Sequence, residues 1–140
     1  MITFNVKDLD PIALKLRAEG EAKRIFAKES TRKGRTYEEV LAACMYGQAS
    51  ELYMISQGYY NNPEPYQDIL EKDKETPAEV KTTEGEYYVE YVLKRCTDII
   101  LNESWRKHPH IVHIWINNKK DLIYTYNGKY VWNGKEFIVH

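Results

Sequence analysis

The chain has 140 residues, 43% of them hydrophobic and 29% charged, with a formal net charge of −1. That length suits one domain spanning 1–140 with its own core, and the composition excludes a chain too polar to fold. The charge argues against a strongly basic nucleic-acid binder but leaves room for a basic face, and no apolar run approaches the ~20 residues that cross a bilayer. With no amino-terminal signal pattern, a cytoplasmic protein with no membrane partner is expected. Cys44 and Cys96, the only cysteines, fall in helical segments and read as free thiols.

In chain order, residues 2–6 alternate in polarity and read as an edge strand or an amino-terminal arm. Asp10-Pro11 then supplies an N-cap and a proline at the first helical position. Ile12, Leu16, Ile25 and Phe26 mark the apolar side of a helix reaching about Lys28. Residues 30–35, STRKGR, read as a basic loop. Arg32, Lys33 and Arg35 are candidate DNA-phosphate contacts there, just before a helix N-terminus that favours anions; a solvated turn is the alternative.

Thr36 and Glu39 form a capping box, and the next helix is expected to run to Gln57 with Gly58 as its stop. At 100° per residue Val40, Cys44, Gly47, Glu51 and Ile55 share one stripe, flanked by Leu41 and Leu52. Glu51 therefore lies on the core-facing side. An ionised carboxylate there is costly unless paired or bound to a cation, or unless its head reaches water at the rim. Residues 58–65 are rich in turn formers and read as loop.

Residues 67–70 and 78–82 read as two strands of a hairpin joined by a charged segment, 71–76, that ends at Pro77. Period-two alternation puts Ala78, Val80 and Thr82 toward the core and Glu79 and Lys81 on the other face. If Asp68 pairs beside Glu79, two carboxylates converge next to an ammonium, a donor set suited to a hard divalent cation. A plain edge strand with a solvated outer face is the alternative.

At Asp68, Glu79 and Lys81 the sequence resembles the PD-(D/E)xK nuclease superfamily, with Gln67 standing where the family has proline. The resemblance implies a restriction-endonuclease-like α/β fold with a mixed sheet flanked by helices. It implies a Mg2+-dependent endodeoxyribonuclease that also accepts Mn2+, with Asp68 and Glu79 as metal ligands and Lys81 beside the attacking water. Many members carry a glutamate on the preceding helix that completes the metal site, and Glu51 matches that role. Cleavage of both strands of a duplex by a chain with one such site implies a homodimer. The alternative is a nucleic-acid- or protein-binding module on the same scaffold, without catalysis.

Beyond the hairpin, residues 86–101 read as a helix with Tyr88, Val92, Cys96, Ile99 and Ile100 toward one face. It crosses over to a strand at 111–117, which makes a parallel pair with the Glu79 strand. His108, His110 and His113 do not form a ligand set, because His110 and His113 point to opposite faces; they read as structural or surface residues. Asn127-Gly128 and Asn133-Gly134 predict two tight turns in a carboxyl-terminal meander of three strands, 122–126, 129–132 and 135–139. Its Tyr124, Tyr126, Tyr130 and Trp132, or the first helix, are the candidate dimer surfaces.

Overall fold

The structure is a computed structural model that describes residues 2–63, 68–102 and 110–140, with side chains described except at 28–33 and 126. A mixed sheet is built from β1 (Thr3–Asn5), β2 (Tyr60–Asn61), β3 (Ile69–Leu70), β4 (Pro77–Thr83), β5 (Ile111–Asn118), β6 (Asp121–Trp132) and β7 (Phe137–Val139). Three helices accompany it: α1 (Pro11–Lys33), α2 (Tyr37–Ser56) and α3 (Tyr87–Asn102). The strand order is β1-β6-β5-β4-β3-β2, with β7 paired to β6. Only β4 and β5 run parallel, joined by the α3 crossover as expected, and the other pairs are antiparallel.

Alternation on β4 and β5 decides which helix covers which face. Ala78, Val80, Ile111 and Trp115 point to a core shared with Leu14 of α1 and with Ala49 and Met54 of α2. Val112 and Ile114, on the opposite face, pack with Val89, Val92, Leu93 and Cys96 of α3. Phe4 of β1 closes the first core, its ring stacked on Tyr53 at 4.2 Å and set edge-on to Trp115 at 5.3 Å. The arm alternative for residues 2–6 thus gives way to a strand at the sheet edge.

Several expected boundaries shift for physical reasons. Asp10 caps α1 through Oδ1, which accepts from the N–H of Ile12 at 3.0 Å. The helix continues to Lys33, so residues 30–33 are helical and not a loop. The turn falls at Gly34, whose φ of +66° suits glycine. Ile12 and Leu16 are 71% and 66% exposed, whereas Leu14, Ala18 and Ala22 are buried, so α1 turns a largely alanine stripe inward. In α2 the capping box forms as expected. Its buried stripe runs through Val40, Cys44, Ser50, Glu51 and Met54, with Gly47 and Ile55 only half-buried. Tyr60–Asn61, expected to be loop, is a short edge strand on β3. Tyr88 of α3, placed on the inward face by its spacing, is 49% exposed, and Val89 takes that place.

The carboxyl terminus holds the largest correction. Asn127-Gly128 makes no hairpin turn, because β6 runs unbroken from Asp121 to Trp132. The pair lies where the β5–β6 register shifts between His113 and Trp115: Lys129 lies opposite His113 and Tyr124 opposite Trp115. A Cβ on Gly128 would meet the Tyr124 ring at 2.3 Å, so this position excludes any side chain. The β5–β6 turn is instead made by Lys119 and Lys120, both at positive φ. Asn133-Gly134 does turn the chain into β7, with Asn133 Oδ1 accepting from the N–H groups of Lys135 and Glu136.

Candidate active site

The β3–β4 hairpin sets the geometry of the acidic residues. Its loop is tied by Asp73, which accepts from the N–H groups of Glu75 and Thr76 and from the Thr76 hydroxyl, and by the Glu71 N–H, which donates to the Thr76 carbonyl at 2.8 Å. The resulting register puts Ile69 opposite Ala78, so Asp68, just ahead of β3, falls beside Glu79. Asp68 Oδ2 accepts from the Val80 N–H at 2.8 Å, extending the hairpin by one side-chain bond. On the same face of β4, Lys81 Nζ lies 3.1 Å from Glu79 Oε2. Both line a hollow of about 250 Å³ under α3, shared with Arg95, His110 and Phe137.

Helix α2 adds Glu51. Ser50 Oγ lies 2.7 Å from Thr82 Oγ1, which fixes the helix against β4 one residue before Glu51. The carboxylate is 7% exposed. Gln48 Nε2 donates to one oxygen at 2.7 Å, and Arg17 Nη2 reaches the other at 3.4 Å. Burial, the Asp68 charge and Glu21 outweigh Arg17 and Lys81, and the Glu51 carboxyl is pushed up to about 8. Asp68 is pushed up to about 6 by burial and by Glu79, against the opposing pull of Lys81 and the Val80 N–H. For Lys81 burial acts to lower the pKa, but Glu79 and Asp68 prevail and raise it, so the side chain stays an ammonium.

These couplings bring Glu51, Asp68, Glu79 and Lys81 into one electrostatic unit drawn from a helix and two strands. They also bring in Glu21 and Arg17 of α1, which sequence reasoning missed. Their spacing carried the signal: positions 17 and 21, beside the inward-facing Leu14, Ala18 and Ala22, are the polar flank of the stripe that packs on α2. Two carboxylates held partly protonated by burial and mutual repulsion are a donor set that a divalent cation suits, since its charge removes both costs. Among the described residues, however, no three of His, Cys, Asp and Glu stand close enough to hold a metal ion. Glu51 is turned toward Gln48 and Arg17, Glu79 toward Lys81, and one Asp68 oxygen toward the Val80 backbone.

A second buried polar cluster joins β5 and β6 to the start of the β3–β4 loop. His113 is fully buried, and its Nε2 lies 2.7 Å from Glu71 Oε2 while its Nδ1 lies 2.6 Å from the Tyr124 hydroxyl. Lys129 Nζ reaches the other Glu71 oxygen at 2.8 Å. A carboxylate only accepts, so Nε2–H donates to Glu71 and, in the neutral ring, Nδ1 accepts from the phenol. Burial acts to raise the Glu71 pKa, but the bonds from His113 and Lys129 outweigh it and hold the carboxyl below its ordinary value. Burial pushes the Tyr124 phenol up. Every charged group here has a partner. This makes His113 a structural histidine, as expected, and places Tyr124 in the core and not on a dimer surface.

The remaining candidates divide as follows. Arg35 is half-buried near Cys44, while the side chains of Arg32 and Lys33 lie outside the described residues. His110 is buried at the hollow beside Lys81, and His108, Tyr66, Gln67 and the side chain of Tyr126 lie outside the described residues. Neither Cys44 nor Cys96 is in a disulfide. No helix among the described residues is long and apolar enough to cross a membrane. Compared with known proteins, the chain matches no family model, no curated protein and no solved structure.

Proposed function

We propose that the chain is a metal-dependent endodeoxyribonuclease of the PD-(D/E)xK, restriction-endonuclease-like class. The observation that carries this reading is the joining of Asp68, Glu79, Lys81 and Glu51 by strand pairing and helix docking, with two carboxylates raised by burial and by one another. A core order of helix, three antiparallel strands, crossover helix and parallel strand also supports it. Asp68, Glu79 and Glu51 would hold Mg2+, or Mn2+ in its place. Bound there, the ion would polarise a phosphate oxygen and lower the pKa of a water.

The chain's own residues divide the remaining work. Lys81, kept as an ammonium by Glu79 and Asp68, donates to and orients the attacking water and balances charge that develops on the phosphate. The Val80 N–H holds Asp68 in place on the hairpin. Gln48 holds one oxygen of Glu51 by a direct bond from α2. Two copies of the chain would place two such sites on a duplex. The exposed Ile12 and Leu16 of α1 offer an apolar patch for that contact, and Tyr130 and Trp132 of the meander are only half-buried.

Incubation of supercoiled plasmid with the protein and Mg2+ or Mn2+ tests the reading: nicked or linear product is expected from the wild type and none from Asp68→Ala. A wild type that binds DNA without cutting it under any divalent cation would establish the alternative, a binding module on the same scaffold. The separation of the carboxylates from a common coordination sphere favours that second reading.

A further inference from the structure

Helix α1 carries Arg17, Glu21 and Arg24 four and three residues apart, a spacing that aligns them along one side of the helix. Next to that row, Ala18 and Ala22 are fully buried against Val40 and Cys44 of α2. Side chains this small let the two helices approach closely, which explains how a helix so far from the hairpin in sequence reaches the acidic residues. Glu21 acts on both Glu51 and Asp68, and Arg24 feels Asp68. Around the acidic residues stand Arg17 and Arg24 on the α1 side of the sheet and, in the hollow under α3, Lys81 with Arg95. A phosphodiester backbone needs a cation there that is free to answer it.

These cations are not equally committed. Lys81 lies 3.1 Å from Glu79, and Arg24 makes a two-pronged contact with Glu21. Arg17 is held at one end, where Nη1 donates to Asn61 Oδ1 at 2.9 Å from the edge strand β2. Its contact with Glu51 is long at 3.4 Å, and its Nε–H is buried with no partner among the described residues. A buried guanidinium donor without an acceptor is costly unless something supplies one. The planar fork of a guanidinium matches the oxygens of a phosphate better than any other side chain.

We propose that Arg17 receives a backbone phosphate of the bound nucleic acid beside the carboxylate set, exchanging its long contact with Glu51 for bonds to phosphate oxygens; this rests on the nuclease reading above. Until substrate arrives, Arg17 rests against the Glu51 carboxyl at 3.4 Å. Asn61 keeps the guanidinium oriented throughout.

The test is binding of a short fluorescein-labelled duplex by anisotropy in Ca2+, from about 50 to 200 mM salt, with wild type, Arg17→Met and Arg17→Lys, alongside Mn2+ titration calorimetry without DNA. Arg17→Met should bind the duplex about tenfold more weakly, with a salt slope lower by about 0.9 for the lost phosphate contact. Arg17→Lys should recover the slope but only part of the affinity, because a point charge replaces the fork. Mn2+ affinity should hold or rise in both, since Glu51 loses a competitor. Wild-type affinity and slope in Arg17→Met would overturn the proposal, leaving the arginine a structural ion pair. If Arg17→Met does not fold, an unchanged duplex affinity in Arg17→Lys overturns it equally. A wild type that neither binds nor nicks DNA would instead remove the nuclease reading itself.

Discussion

Glu51 and Glu71 are both buried glutamates, at 7% and 8% exposure, yet their surroundings treat the charge in opposite ways. Glu71 receives bonds from His113 and from Lys129, one to each oxygen, and ionises more readily than an ordinary carboxyl. Glu51 has an amide bond from Gln48 and a long reach from Arg17, faces Asp68 and Glu21, and holds its proton to about pH 8. The first is a closed network in which nothing remains to be bound. The second is an open one, in which the carboxyl ionises only at a cost that a bound cation would relieve. The difference separates a carboxylate that stabilises the fold from one available for chemistry.

The sharpest way to break that distinction is at the acids of the open site. Asp68→Ala or Glu79→Ala should lower metal-dependent nicking by about 1,000-fold or more with circular dichroism unchanged, and Asp68→Ala, which also loses the bond from the Val80 N–H, should unfold at lower urea. Lys81→Ala should cost about 100-fold in single-turnover rate while DNA affinity in Ca2+ is kept. Equal losses of affinity and rate would place Lys81 in substrate binding and not beside the water.

The closed network should respond in stability. Glu71→Gln or His113→Ala leaves a buried group without its partner and should cost about 3–5 kcal/mol in urea unfolding. Any loss of nicking should then track the unfolded fraction. A variant that remained as stable as wild type yet failed to cut would move this cluster into the active site.

The smallest effect sharpens the comparison most. A carboxyl whose folded pKa lies above its unfolded value binds more protons folded than unfolded between the two. Stability contributed by Glu51 therefore falls as pH rises from about 4.5 toward about 8 and is level above that. Glu71, with its pKa lowered, contributes in the other sense: its stabilisation is present above the unfolded value and is lost as pH falls through the folded one. Glu51→Gln should accordingly gain on the order of 1 kcal/mol at pH 9, little at pH 5, and bind Mn2+ more weakly. Unfolding midpoints across that range, with calorimetry for the metal, check both parts, and a Glu51→Gln midpoint that tracks the wild type at every pH would make Glu51 a solvated rim residue.

The open site was largely legible in the sequence because its members sit on regular elements. Asp68, Glu79 and Lys81 follow the period-two rule of a hairpin, and Glu51 follows the stripe of a capped helix. Glu71 was not legible: it opens a charged loop, and its partners lie 42 and 58 residues further along the chain, at His113 and Lys129. Arg17 and Glu21 escaped because Ile12 and Leu16 look like the inward side of α1, whereas alanines make the contact and the larger side chains are exposed. Asn127-Gly128 misleads for a related reason. The glycine is required by the Tyr124 ring that lies over it, a demand of packing that imitates the signature of a turn.

The pairing of β1 with β6 carries a consequence for the order of events during synthesis. Thr3 lies opposite Ile123, so the first strand emerges from the ribosome about 120 residues before its partner exists. At translation rates of roughly 5–20 residues per second, Phe4 waits on the order of 6–24 s for the strand that will hold it over Tyr53 and Trp115. Within that interval α1, α2 and the β3–β4 hairpin are made in turn, so the acidic residues can gather before Phe4 is fixed in place.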